Sequence, residues 1–346
     1  MLYATTRSKV STYTAQRALK EERAPDGGFY IPAALPVYSR EELGELLMQP
    51  ETEIIARVLN RFFKGQLGRL DVEFAVGRRI IGMARISHRI VIGELWRNPE
   101  GGFAGLCSRL TQRLSAGADV DEPGAWMRIA CRIALTFAIF SRLRREGIIL
   151  PGEMVDVAVL TGEFEGPYAL HAARSMGLPV GEVICCCNDN SGVWDLFNRG
   201  QIKTNARLVR TQTPQCDTVT PAALELLLRD RMEWDDLENY LATVEKGGTF
   251  FLGPEEHRHF REGFSAAVVS DRRMRLAIPN LYHTNGYILG PYSALVYTGL
   301  MDYRSHPGPR RTALMLTEYD PRDDAEIVTR ALALSDEELD GWCQHG

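Results

Sequence analysis

The stretch that most constrains this chain is "MVDVAVLTGEFEGPYALHAARSMGLPVGEVICCCNDNSGVWDLFNRG", Met154 to Gly200. An apolar run of strand length, "MVDVAVL", leads into a glycine-bearing turn and a segment with helical spacing, "PYALHAARSMG". A second apolar run, "EVICCC", and a second helical segment, "SGVWDLFNRG", follow. Strands that alternate with helices are joined in parallel, because each helix carries the chain back over the sheet. The expectation is an α/β fold with a parallel sheet.

The flanking sequence extends the pattern. "RIVIGEL", Arg89 to Leu95, reads as a strand, and "GFAGLCSRLTQRL" after it as a helix entered through glycines. "WMRIACRIALTFAIFSRLRREG" reads as a long helix whose Trp126, Ile129, Ile133 and Phe137 form one core stripe. Between these helices lies a polar linker, Ser115 to Ala125. Nearer the start, Ser39 and Glu42 have the spacing of a capping box that opens a helix through "REELGELL", and "ETEIIARVLNRFF" continues helical. "APDGG", Ala24 to Gly28, marks a turn among short strands, and "ALMLTEY" is a strand near the end. These readings divide the chain into an N-terminal α+β segment, residues 1–87, and a main α/β domain, residues 88–346.

Composition narrows the chemistry. A net charge of -5 and a pI near 5.9 offer no basic footprint for nucleic acid. The longest apolar stretch, Trp126 to Phe140, is broken by Arg128 and Arg132, so no membrane span is expected, and with no leader-like opening the expectation is a cytoplasmic protein. Cys185, Cys186 and Cys187 fall in a strand, where successive side chains diverge and cannot share a metal. His257 and His259 are two apart on a helix and face different ways, so no metal is expected there either. Only five of the 40 basic residues are lysine: Lys9, Lys20, Lys64, Lys203 and Lys246. Arginine stays protonated, so any amine chemistry falls to those five.

Several stretches together resemble threonine synthase, a pyridoxal-phosphate lyase with the tryptophan-synthase-β-like fold. "ATTRSKVSTYTAQRALKEERAPDGGFYIPAALP" is similar to that family's opening, and "WMRIACRIALTF" to its W-x-R-I-x-x-Q-I-x-Y-Y-F helix. "LTGEFEGPYALHAARSMGLPVGEVICCCNDNSGVWDLFNRG" resembles the segment from S-G-N-F-G-D through M-G-L-P to A-T-N-E-N-D. "TPQCDTVTPAALELLL" resembles the S-P-S-M-D-I stretch, and "GYILGPYSALVY" the G-Y-x-x-D-P-H-T-A-V-x-Y stretch. The resemblance implies the three-layer domain of that fold and, for a member with its lysine, threonine formation from O-phosphohomoserine.

The function-bearing positions depart from it. With Glu94-Leu95-Trp96 set on the family's E-L-F, Phe103-Ala104-Gly105 stands where the family has F-K-D, and Ala104 replaces the cofactor lysine. A methyl group has neither a lone pair for the cofactor nor a proton to exchange. No lysine occurs between Lys64 and Lys203, so a small misalignment would not restore one. The phosphate loop reads Thr161-Gly162-Glu163-Phe164-Glu165-Gly166. An inward carboxylate about 4 Å from a phosphate charge would repel it by roughly 4 kcal/mol at an effective dielectric near 20; an outward one would merely favour the helix N-terminus. The linker 115–125 occupies the interval where the family inserts a small substrate domain. The family's D-P-H-T becomes Gly290-Pro291-Tyr292-Ser293, and no lysine follows "LTEYDPRDDAE".

The expectation is a truncated threonine-synthase-like pseudoenzyme without cofactor, binding a small anionic or amino-acid-like ligand, with a homo-oligomer or a protein partner over the face the lost domain would cover. The alternative is a lyase that takes pyridoxal phosphate or another anion, with Glu163 and Glu165 as an acid and base pair. Asn188, Asp189 and Asn190, after a strand end, are ligand candidates by position, although turn chemistry is the better account of them.

Overall fold

The structure is a computed structural model that describes residues 1–65, 67–77, 81–97, 101–115 and 122–345. The chain opens with β1 (Leu2–Thr5), β2 (Ser8–Thr14), α1 (Ala15–Lys20) and β3 (Tyr30–Pro32), followed by α2 (Arg40–Leu46), α3 (Glu51–Phe63) and α4 (Arg69–Val76). β1 is the middle strand of a small antiparallel sheet. The capping box is formed: the Ser39 hydroxyl accepts from the Glu42 N–H at 3.1 Å, and the Glu42 carboxylate accepts from the Ser39 N–H at 2.7 Å.

Then come β4 (Gly82–Ser87), β5 (Ile90–Glu94), a 3-10 turn at Leu95–Arg97, α5 (Gly102–Leu114), α6 (Ala125–Arg145), β6 (Val155–Leu160), α7 (Glu165–Ser175), β7 (Val180–Cys187) and α8 (Gly192–Arg199). The remainder runs β8 (Gln201–Lys203), α9 (Leu224–Arg231), α10 (Trp234–Lys246), β9 (Thr249–Phe251), α11 (Pro254–Phe260), β10 (Phe264–Val268), α12 (Asp271–Asn285), α13 (Pro291–Ser305), β11 (Thr312–Thr317), α14 (Ala325–Leu332) and α15 (Asp336–His345). Of the linker 115–125, residues 116–121 lie outside the described residues.

The main sheet has the order β10-β7-β6-β11-β5-β4, parallel except for β4, which pairs antiparallel with β5. The position dividing residues 1–87 from 88–346 falls in the hairpin between these two strands. The fold is the mixed α/β architecture, with a mostly parallel central sheet, that the strand and helix alternation predicts.

Strand periodicity splits the core in two. Val157, Val159, Val183, Cys185 and Cys187 face the layer containing α3, α6 and α7, whereas Ala158, Ile184, Cys186 and Met315 face α12 and α13. The three adjacent thiols thus point to opposite sides of the sheet, and all are free and buried. Burial raises Cys185 and Cys186 well above the ordinary thiol range and Cys187 to about 12. α13 comes so near β7 that a Cβ on Gly299 would lie 2.5 Å from the Cys186 sulfur. α6 is buried almost all round rather than along one stripe, because α3 packs on one side of it and α7 on another. Its Trp126 meets Tyr3, Phe62 and Tyr168 edge-on, with ring centroids 5.7–6.3 Å apart.

Candidate functional site

A cleft opens at the carboxyl ends of the parallel strands, where open α/β sheets receive ligands. Its larger chamber, about 800 Å³, is lined by Trp96, Phe103 and Ala104 from the β5–α5 junction, Arg128 and Arg132 from α6, and Glu318 and Tyr319 after β11. Gly101 and Gly102, with φ of 80° and 57°, turn the chain into α5, a conformation that favours glycine. Ala104 is exposed to this chamber, so the residue singled out from the sequence does sit on the cleft wall. None of the five lysines lines it.

A smaller chamber of about 220 Å³ adjoins it and shares Arg128, Arg132, Glu318 and Tyr319. Its floor is the loop Thr161, Gly162, Glu163, Glu165 and Gly166 together with Gln215. The loop is pinned to β7, since the Thr161 N–H and hydroxyl each donate to the Cys186 carbonyl at 3.0 Å. Phe164 adopts φ 73°, a left-handed conformation uncommon for a bulky residue, and is held by stacking on Phe197 and Phe264.

That twist separates the two glutamates. Glu163 is exposed, and its carboxylate accepts from the Ala222 N–H at 3.0 Å. Glu165, the first residue of α7, is buried with its carboxylate against Arg128 and Arg132. The pair therefore does not face itself, and the acid and base arrangement is corrected: one carboxylate points out, the other into an arginine clamp.

The clamp is extended. Arg132 donates through Nη1 to Glu165 Oε2 at 2.8 Å, and through Nε and Nη2 to both Glu318 oxygens at 2.7 and 2.8 Å. Arg128 donates through Nε to both Glu165 oxygens at 3.1 Å, through Nη2 to Glu165 Oε1, and to Glu22 at 2.8 and 2.9 Å. Burial opposes ionisation of Glu165, yet Arg132 and Arg128 hold its carboxyl below the ordinary range. The Arg132 guanidinium also lies 4.3 Å from the Phe103 ring centroid, tying the clamp to the Ala104 wall. The chemical capacity of this arrangement is binding and charge balance.

Tyr319 stacks on Tyr292 at a centroid distance of 4.0 Å, so the Gly290-Pro291-Tyr292-Ser293 stretch abuts the cleft. Asn188 and Asn190 are buried and knitted into a local network: the Asn188 amide donates to Thr211, Thr213 and Asp217, and Asn190 donates to the Val209 carbonyl. Of that triplet only Asp189 is exposed, beside a separate cavity of about 890 Å³ on the β10 side. His257 is turned to the Phe197 carbonyl at 2.9 Å and His259 is exposed. Among the described residues no group of His, Cys, Asp or Glu side chains forms a metal centre, and no helix is long and apolar enough to cross a membrane.

In the sequence Arg128 and Arg132 stand out as interruptions of an apolar run and as part of the W-x-R-I resemblance, with nothing but their spacing to mark them as a pair. Two arginines one helical turn apart in an otherwise buried helix were the available signal for the clamp.

The N-terminal residues 2–78 match the family model described as "Threonine synthase N terminus". Human "Threonine synthase-like 1" is 27% identical over 173 residues, which cover 49% of this chain and 23% of that protein. Threonine synthase from Pseudomonas aeruginosa is 26% identical over 172 residues, 49% of this chain and 35% of that one. The matched stretches thus span well under half the length of these relatives. The PLP-bound threonine synthase from Brucella melitensis superposes with a TM-score of 0.86 at 18% identity, covering 100% of this chain and 95% of that one. The Escherichia coli threonine synthase gives 0.73 at 16%, covering 100% and 95%. The chain thus carries a threonine synthase N-terminal signature over residues 2–78, is similar to threonine synthases and threonine synthase-like proteins over about half its length, and has the fold of the solved threonine synthases.

Proposed function

We propose that this chain is a non-catalytic member of its family, a cytoplasmic binding protein that works as an assembly, with residues 115–125 standing where the family carries a small domain. The observation that carries this reading is that Ala104, which the sequence resemblance aligns with the family's cofactor lysine, lines the cleft, and that none of the five lysines does. The residues present do not suit pyridoxal phosphate, since the loop that would cradle its phosphate holds the Glu165 carboxylate.

The cleft is still roomy enough for a small molecule. Each arginine lining it is already paired: Arg97 with Glu94, Arg128 and Arg132 as described, and Arg322 with Asp320. Glu122 and Asp323, also on its lining, have no cationic partner among the described residues. The charge balance favours an amine-bearing, amino-acid-like ligand over an anion.

The test is to incubate the protein with pyridoxal phosphate, reduce with borohydride and measure intact mass. No lysine-linked cofactor mass is expected; a stoichiometric adduct would overturn the reading. In a thermal-shift screen, amino acids and small amines should raise the midpoint more than matched carboxylates and phosphates do.

A further inference from the structure

We propose that Glu165 is the built-in occupant of an oxyanion subsite, so that the chain supplies from its own side chain the counter-ion that a small free anion would otherwise provide. The proposal goes beyond the reading above: it rests on the Arg128–Glu165–Arg132 geometry and not on whether a lysine outside the chamber carries a cofactor.

Arg128 and Arg132 stand one turn apart on α6, and both aim guanidinium N–H groups at the same carboxylate. Two like charges so placed on a mostly buried helix repel each other, and an anion between them removes the conflict. Their residual partners are unequal. Glu318 grips Arg132 with both oxygens, but Glu22 on Arg128 is 57% exposed at its side chain, whereas that of Glu165 is 10% exposed.

A third source of positive potential converges there. Glu165 is the first residue of the eleven-residue helix α7, where unpaired backbone N–H groups favour negative charge. The 220 Å³ chamber beside it, floored by Thr161, Gly162 and Gly166, provides room once the glutamate side chain is removed. A carboxylate and a phosphate or sulfate present the same pair of acceptor oxygens to a guanidinium fork. The geometry therefore describes a filled anion site rather than an ordinary ion pair on a surface.

The prediction is a chemical rescue. Glu165→Gly and Glu165→Ala should unfold several degrees below the parent in chloride, and should regain much of that loss in inorganic phosphate or sulfate at matched ionic strength, saturably with concentration. Phosphate stabilises proteins generally by exclusion, so the readout is the gain relative to the parent protein. Arg132→Gln combined with Glu165→Gly should lose most of the response, because one arm of the clamp is gone. Should the truncations fail to fold, Glu165→Gln preserves the shape and removes the charge, and should show a smaller anion-dependent rise. The proposal is overturned if the parent gains as much as the variants, or if no variant responds to either anion. A lysine adduct in the borohydride experiment would instead remove the non-catalytic reading and leave this one standing.

Discussion

At the scale of single residues, the position of Glu165 decides most of the electrostatics of the cleft. Glu165→Gln leaves Arg128 and Arg132 with a neutral amide in a largely dehydrated place, and should lower the unfolding free energy by about 3 kcal/mol, measured by urea titration. The same residue sets an acid limb. Its folded pKa lies below the unfolded value, so its stabilising contribution is complete above roughly pH 4.3, the ordinary glutamate value, and disappears as pH falls through the folded pKa. Stability of the Glu165→Gln variant should accordingly depend less on pH below that point than stability of the parent; parallel acid limbs would contradict the assignment. The departure of two glutamates from the phosphate-loop pattern was plain in the sequence, but their opposite directions were not. Residues two apart share a side in a strand, and only the left-handed φ of Phe164, which buried ring stacking sustains, sends Glu163 outward and Glu165 inward.

At the scale of elements, legibility followed local pattern. α3 and α5 occupy the stretches that periodicity marked, and the capping box starts α2, because apolar spacing and capping act within a few residues. β10 escaped notice: "FSAAV" carries two alanines and no alternation, and its strand identity comes from pairing with β7 some eighty residues earlier. β8 and β9 are three residues each and exist through each other. The arginine clamp was hidden for the same reason, since Arg128 and Glu165 lie 37 positions apart and meet only when α6 packs on α7. Trp126 joins the elements across that boundary. Trp126→Ala would empty a site shared by Tyr3, Phe62 and Tyr168, and a loss of about 3–5 kcal/mol in chemical denaturation is expected.

For the whole molecule, the N-terminal segment is fastened to the main domain at a second point besides Trp126. Glu225 on α9, buried, accepts from the Thr6 hydroxyl and from Arg7 at 2.9 and 3.0 Å, with Arg23 at 3.7 Å. Glu225→Gln should speed amide hydrogen exchange in β1–β3 by roughly tenfold, the effect of about 1.4 kcal/mol, while exchange in β6 and β7 changes little. A uniform acceleration across both regions would mean that the fastening is not local. The Arg128–Glu165–Arg132 clamp also limits which substitutions the cleft tolerates. Glu165→Gly alone removes the carboxylate shared by two half-buried guanidiniums, leaving each with a single acidic partner, and Ala104→Lys alone adds an ammonium to a chamber that they line. Either change alone therefore adds uncompensated positive charge to the cleft, and the clamp acts as a latch on its charge pattern.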